Sequence, residues 1–223
     1  MVWLKRLATP KWWPIEKKTK KFVAVPRGPY STSLPLVVII RDAFKICDSG
    51  LEARKIIKSG KVLVDGVKRK DPRFGLGSMC TIEIPDMQKS WRVVPRNGLS
   101  FVEIPAEESK LKICKILDKK TLRGGKTQIN LDGGRNMLTK ENYTTGDSLL
   151  LEMPEQKVVD VLKLEKKALA IVTRGQNSGK LAHIDSIDKK NRRAWLGSGE
   201  SIFEVPLDAI VIVGKEKPTV KLE

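Results

Sequence analysis

Histidine occurs once in these 223 residues, as His183, and cysteine three times. A serine triad needs an imidazole beside a glycine-flanked serine elbow, and no such serine run is present. Cys47, Cys80 and Cys114 stand more than 30 residues apart, so no pair has metal-ligand spacing. A zinc site would have to gather all three with His183 from distant positions. The odd count suits a reducing compartment, and each cysteine reads as a small buried apolar residue. Long apolar runs are missing too. Leu36 to Ile40 is five residues long, bounded by Pro35 and Arg41, against the ~20 that a membrane helix needs. Lys5 and Arg6 interrupt the start before a secretory apolar core can form. These absences point to a cytoplasmic chain with no membrane partner.

A phosphate loop of the nucleotide-hydrolase kind is also lacking. It requires two glycines with four residues between them, then Lys and a hydroxyl residue for magnesium. In "RGQNSGKL" only three residues separate Gly175 from Gly179, and Leu181 stands where the hydroxyl belongs. In "LRGGKT" the first glycine position holds Lys120. Neither run lies between a strand and a long helix, so ATP hydrolysis is not expected. No paired-carboxylate or nucleophile constellation stands out. The expectation is a non-enzyme without cofactor or metal. Gly179 reads as a structural turn glycine, because a tight strand-to-strand turn needs positive φ. Arg174 and Lys180 beside it can meet phosphates of another kind.

Acidic residues are scarce relative to basic ones. There are 43 Lys and Arg against 26 Asp and Glu, a net charge of +17. Such an excess repels itself in a compact fold and is tolerated where a polyanion neutralises it. Residues 1–30 carry 8 basic and 1 acidic side chains, and residues 31–104 carry 13 and 8. Residues 105–165 are almost balanced at 11 and 10, and residues 166–223 carry 11 and 7. Nucleic acid is the expected partner. The near-neutral third segment is expected to contribute least to phosphate binding.

Residues 1–30 show no regular period, and Pro10, Pro14, Pro26 and Pro29 break any long helix. They read as a basic extended arm. Lys5, Arg6 and Lys11, with Trp12 and Trp13, are its candidates for RNA contact. Indoles stack on bases while cations meet phosphates. The alternative, tryptophans packed on the protein's own body, stays open at this point. From Leu36, "LVVIIRDAFKIC" spaces Val37, Ile40, Phe44 and Cys47 as a helix. "SGLEARKIIKSG" predicts a second helix. Ser49 and Glu52 form a capping box, Leu51, Ile56 and Ile57 supply the apolar side, and Gly60 sits at the C-terminal stop. Asp65–Gly66 between "KVLV" and "VKRK" is a two-residue hairpin signal. "SMCTIEI", "WRVV" and "LSFVEI" add alternating strands, the last two joined by the turn Pro95–Gly98. Beyond Pro105, "KLKICKIL", "KTQINL" and "DSLLLEM" predict a small β-domain. "ALAIVT", "KLAHIDSI", "RAWLGS" and "AIVIVG" predict a barrel of about five short strands.

These residues carry a resemblance. "VVIIRDAFKICDSGLEARKIIKSGKVLVDGVKRKDP" resembles the small RNA-binding module named after bacterial small-subunit ribosomal protein four. "RGQNSGKLAHIDSI" resembles a KOW motif, with Gly179 as its key glycine. The order of parts, with "LKRLATPKWWPI" at the start, resembles the e-type small-subunit ribosomal protein four family of archaea and eukaryotes. The resemblance implies an α+β, mainly β, multidomain chain. Its parts would be the arm (1–30), the α/β RNA-binding module (31–104), a central β-domain (105–165) and a C-terminal SH3-like KOW barrel with tail (166–223). It further implies a structural constituent of the ribosome that binds small-subunit ribosomal RNA beside neighbouring ribosomal proteins and is monomeric when isolated. The RNA-facing positions of the module would be Arg41, Lys45, Arg54, Lys55, Lys58, Lys61, Lys68, Arg69 and Lys70. Eukaryotic members carry a longer C-terminal extension than the residues after "VIVGKEKP", so tail contacts are not carried over. Two rival readings share single modules with this family. A pseudouridine synthase would need a large catalytic domain with a reactive Asp in a Gly-Arg-Leu-Asp context, and the nearest run here is "NLDGGRN". A KOW-type transcription or RNA-chaperone factor would not stay with the small subunit at high salt.

Overall fold

The computed structural model describes residues 3–123, 125–198 and 201–222. Gly124 of the "LRGGKT" run lies outside the described residues. The described chain is mostly β, with few helices and several sheets. It divides into two units: Met1–Val93 with Gly98–Ser109, and Val94–Asn97 with Lys110–Glu223.

In the first unit a helical turn, Leu36–Val38, runs on into a wider turn over Ile39–Ala43. There Phe44 N donates to Ile39 O, five residues back, at 2.9 Å. The second helix, Gly50–Lys58, starts at the expected cap. Glu52 N donates to Ser49 Oγ at 3.2 Å, and the Glu52 carboxylate reaches back to Ser49 N at 3.5 Å. Two of the orphan N–H groups at the helix start are thereby satisfied. Gly60 N closes the other end on Ile57 O. Ala53 and Ile57 are fully buried, whereas Leu51 is 70% exposed. Leu51 was expected on the apolar side. At about 100° per residue it lies roughly 200° from Ala53, so it faces solvent instead.

The Asp65–Gly66 signal forms its hairpin. Val64 pairs with Val67 across a two-residue turn with positive φ at both central residues, 49° and 72°. The buried Asp65 carboxylate then accepts from Thr81 N at 3.0 Å, locking the turn to the next strand. The sheet order is Val67–Lys68, Leu63–Val64, Thr81–Ile84, Lys89–Pro95, Leu99–Ile104. Ile57, Val62, Val64, Ile82 and Val93 share one core with Leu36–Ile40.

The first 30 residues are not simply extended. Trp3–Lys5 pairs antiparallel with Phe22–Ala24, and Trp13 and Val23 join the same core. Gly98 shows how close the approach is. A β-carbon there would stand 2.3 Å from Trp12 Cβ, so only glycine fits.

The second unit holds two five-stranded antiparallel sheets. One has the order Arg135–Thr139, Thr127–Leu131, Leu111–Thr121, Ser148–Glu152, Lys157–Leu162. Its middle strand is eleven residues long. A register shift between Ile116 and Asp118 lets its two halves pair with different neighbours. The other order is Ser201–Pro206, Arg193–Ser198, Leu181–Asp188, Leu169–Val172, Ile210–Gly214, a half-barrel. The expected runs all became strands. Arg135–Thr139, Lys157–Leu162 and Ser201–Pro206 were not anticipated, because their apolar alternation is weak.

Replacing Ser49 by Ala removes the cap of Gly50–Lys58. Loss of about 1 kcal/mol of stability is expected, read as a lower urea midpoint with an unchanged slope.

Candidate nucleic-acid interface

Of the sixteen basic and aromatic positions expected to meet RNA, the fourteen in the first unit fall into three groups. Two are inside the protein. Arg6 is 4% exposed and Trp13 is 3% exposed. Arg6 uses its guanidinium to hold the arm's return, donating to Glu16 O and to Thr19 Oγ1. Both residues leave the candidate surface in this conformation. The arm's loop is long enough to fold back, so Trp13 packs into the core and the Arg6 guanidinium reaches the loop's Glu16 carbonyl and Thr19 hydroxyl.

A second group is surface-accessible but already engaged. The Arg41 guanidinium grips Asp42, with N···O distances of 3.1 and 2.6 Å. Lys61 Nζ pairs with Asp86 at 2.6 Å, both side chains more than half exposed. Such a pair contributes about 0–1 kcal/mol, so phosphate can displace the carboxylate. The Arg54 guanidinium lies over the Trp3 ring at 5.5 Å, and Arg69 over Phe74 at 4.5 Å. Trp12 is half-buried and tilted against Trp13. Trp3, at 48% exposure, is therefore the open indole of the three.

The third group is exposed and has no hydrogen bond or ion pair from its side chain among the described residues. It comprises Lys5, Lys11, Lys45, Lys55, Lys58, Lys68 and Lys70. Lys70 runs past the end of the capped helix, its Cε 3.5 Å from where a Gly60 β-carbon would be. Lys70 of the hairpin thus stands close to the helix end. Lys55 and Lys58 also lie in the last turn, where they complement the helix dipole.

In the second unit, "RGQNSGKL" is a turn between Leu169–Val172 and Leu181–Asp188. Gly179 N donates to Val172 O at 2.7 Å, and its φ is +87°. A β-carbon there would meet Arg96 Cα and Pro95 O, each at 2.7 Å. Glycine is thus required twice, by conformation and by space. Arg174 is exposed and donates to Asp208 O at 3.3 Å. Lys180 donates to Asn177 Oδ1 at 2.9 Å and lies 5.3 Å from the Phe203 ring centre.

Two buried cations do structural work instead. Arg92 is 1% exposed and holds Glu108 through its carboxylate (3.3 Å) and carbonyl (2.9 Å). Lys115 is 7% exposed and donates to the carbonyls of Leu207 and Ile210 at 2.5 and 2.7 Å. Burial pushes the Lys115 amine down from 10.5 to about 8, opposed by the carboxylates of Asp208 and Asp132. Of the cysteines, Cys80 and Cys114 are buried and Cys47 is half-buried. No cluster of metal-ligating side chains forms among the described residues. No helix there is long and apolar enough to cross a membrane.

Two family models match parts of the chain. Residues 35–80 match the S4 domain, and residues 87–158 match the ribosomal family S4e. Small ribosomal subunit protein eS4 of Methanosphaera stadtmanae is 39% identical over 98% of this chain and 95% of its own length. The eS4 protein of Archaeoglobus fulgidus is 38% identical, covering 98% and 97%. The crystal structure of 30S ribosomal protein S4e from Thermoplasma acidophilum superposes with a TM-score of 0.72 at 28% identity. It covers 82% of this chain and 96% of that one.

Two outcomes are expected here. Gly179→Ala should cost about 2 kcal/mol or more, from positive φ and overlap with the Pro95–Arg96 backbone, seen as a lower thermal midpoint. Lys115 has a folded pKa below its unfolded one. Between about pH 8 and 10.5 the unfolded chain binds a proton that the folded chain has released. Stability from this group therefore rises with pH across that window, by up to about 1.4 kcal/mol per pH unit. Below it the folded state bears the full cost of a buried cation. Urea unfolding at pH 8 and pH 10 should show wild type gaining on Lys115→Met as pH rises.

Proposed function

The chain belongs to the ribosomal S4e family, and we propose how its two units serve that membership. It is a structural constituent of the small ribosomal subunit, in the cytoplasm, where it binds ribosomal RNA beside other ribosomal proteins. The synthase and transcription-factor readings find no support among these relatives.

Our finer reading assigns the principal RNA surface to the capped helix and hairpin of the first unit. One observation carries it: Lys55, Lys58, Lys68 and Lys70 are exposed, and their side chains have no hydrogen bond or ion pair among the described residues, although the chain contains 26 acidic residues. Phosphate neutralisation by these lysines releases counterions and supplies most of the affinity. Lys45, Lys5 and Lys11 extend the surface. Arg41, Lys61, Arg54 and Arg69 join by exchanging internal contacts for phosphate. Trp3 is the arm residue suited to stacking on an unpaired base. Arg174 and Lys180 offer a further contact at the turn fixed by Gly179. In this reading residues 31–104 are the RNA-binding module, 105–165 a central β-domain and 166–223 a KOW-type SH3-like barrel. The isolated chain is monomeric and has no catalytic role.

Lys55→Ala combined with Lys58→Ala should weaken binding to small-subunit ribosomal RNA. The slope of log affinity against log salt should flatten by up to about two, roughly one per phosphate contact. An unchanged slope across a salt titration would remove this helix from the interface.

A further inference from the structure

A basic site that the sequence did not reveal lies wholly in the second unit, apart from the Arg174–Lys180 turn. Lys163, Lys166 and Lys167 line one side of an open cleft of about 440 Å³, and Lys215 lines the other. All four are exposed, and their side chains form no hydrogen bond or ion pair with any described residue. Buried Leu162 and Ile212 form its floor. Glu165 and Glu216 also line it, leaving an excess of two positive charges.

The backbone that carries these lysines is held firmly. Leu164 N donates to the Asp147 carboxylate at 2.8 Å, and Lys167 N donates to Ile184 O at 2.7 Å. Lys167 itself has φ of +66°, and His183 Nδ1 donates to its carbonyl at 3.1 Å. Across the cleft, Gly214 bridges to Pro218, and Thr219 N returns to Val213 O at 2.9 Å. Lys215 therefore stands in a closed turn. Four cations on two pinned segments face one opening, so ordering them on a ligand requires side-chain adjustment only.

We propose that this cleft binds the sugar–phosphate backbone of ribosomal RNA, a contact separate from the helix and hairpin of the first unit. The ligand class follows from the chemistry. Unpaired lysines attract phosphate as point charges. No aromatic ring lines the opening, so it grips backbone and carries no base preference. The inference rests on the ribosomal RNA reading above.

The test uses the full chain with Lys163→Gln, Lys166→Gln, Lys167→Asn and Lys215→Gln combined. Asn at 167 tolerates the left-handed backbone. Affinity for small-subunit ribosomal RNA at about 0.1 M salt should fall roughly tenfold, with a salt slope shallower by one to two. The loss should add to that of the Lys55/Lys58 variant. Amine-acylation footprinting of the wild-type chain gives a second readout independent of the variant's folding. RNA should shield these four lysines. If the Lys55/Lys58 variant flattens the slope while the cleft lysines stay unshielded, this proposal fails and the first surface stands. If neither site responds, the RNA-surface reading itself fails. Shielding by polyglutamate but not by RNA would assign the cleft to an acidic protein segment and overturn the proposal.

Discussion

An excess of seventeen positive charges is the constraint under which every other feature of this protein is arranged. Charges of one sign in a compact body repel each other, and the cores available to oppose that are small. The chain meets the constraint by sorting its cations. A few are drawn inside and held by carbonyls, a hydroxyl or a carboxylate, as with Arg6, Arg92 and Lys115. The rest stay at the surface, many without an acidic partner among the described residues, and these suit a polyanion.

The buried cations repay attention because they hold chain segments that have little else to hold them. Lys115 joins the middle strand of one sheet to the turn before Ile210–Gly214, and Ser148 Oγ accepts from Ile212 N nearby at 3.1 Å. Its amine has no carboxylate in contact, which is why burial lowers its pKa. Arg92 does the same for the segment at Glu108. A charged group buried on carbonyls alone is a costly fastening, but it is directional. It sets how two β-segments meet where apolar packing alone would leave them free to slide.

Legibility differed by the range of the interaction. The Ser49–Glu52 cap, the Asp65–Gly66 turn and the strands with strong apolar alternation were readable, since each depends on residues a few positions apart. The arm was not. Strands of three residues, Trp3–Lys5 and Phe22–Ala24, carry no period that a sequence window can detect. Nothing local says that Trp13 enters a core assembled from residues 23 to 93. The basic cleft was hidden for a related reason. A charge tally cut at residue 165 places Lys163 in the near-neutral segment and Lys166 and Lys167 in the next. Lys215 is nearly fifty residues further on.

What the sequence determined by itself was the type of partner, the absence of familiar catalytic motifs, the family resemblance and the local punctuation of helices and turns. These follow from composition and from short-range backbone chemistry. Only the tertiary structure decided which cations are spent inside and which remain at the surface. It also gave Gly179 its second reason, the Pro95–Arg96 backbone lying where any side chain would go. Burial and close approach are made by residues far apart in the chain, and their pairing exists only once the fold has brought them together.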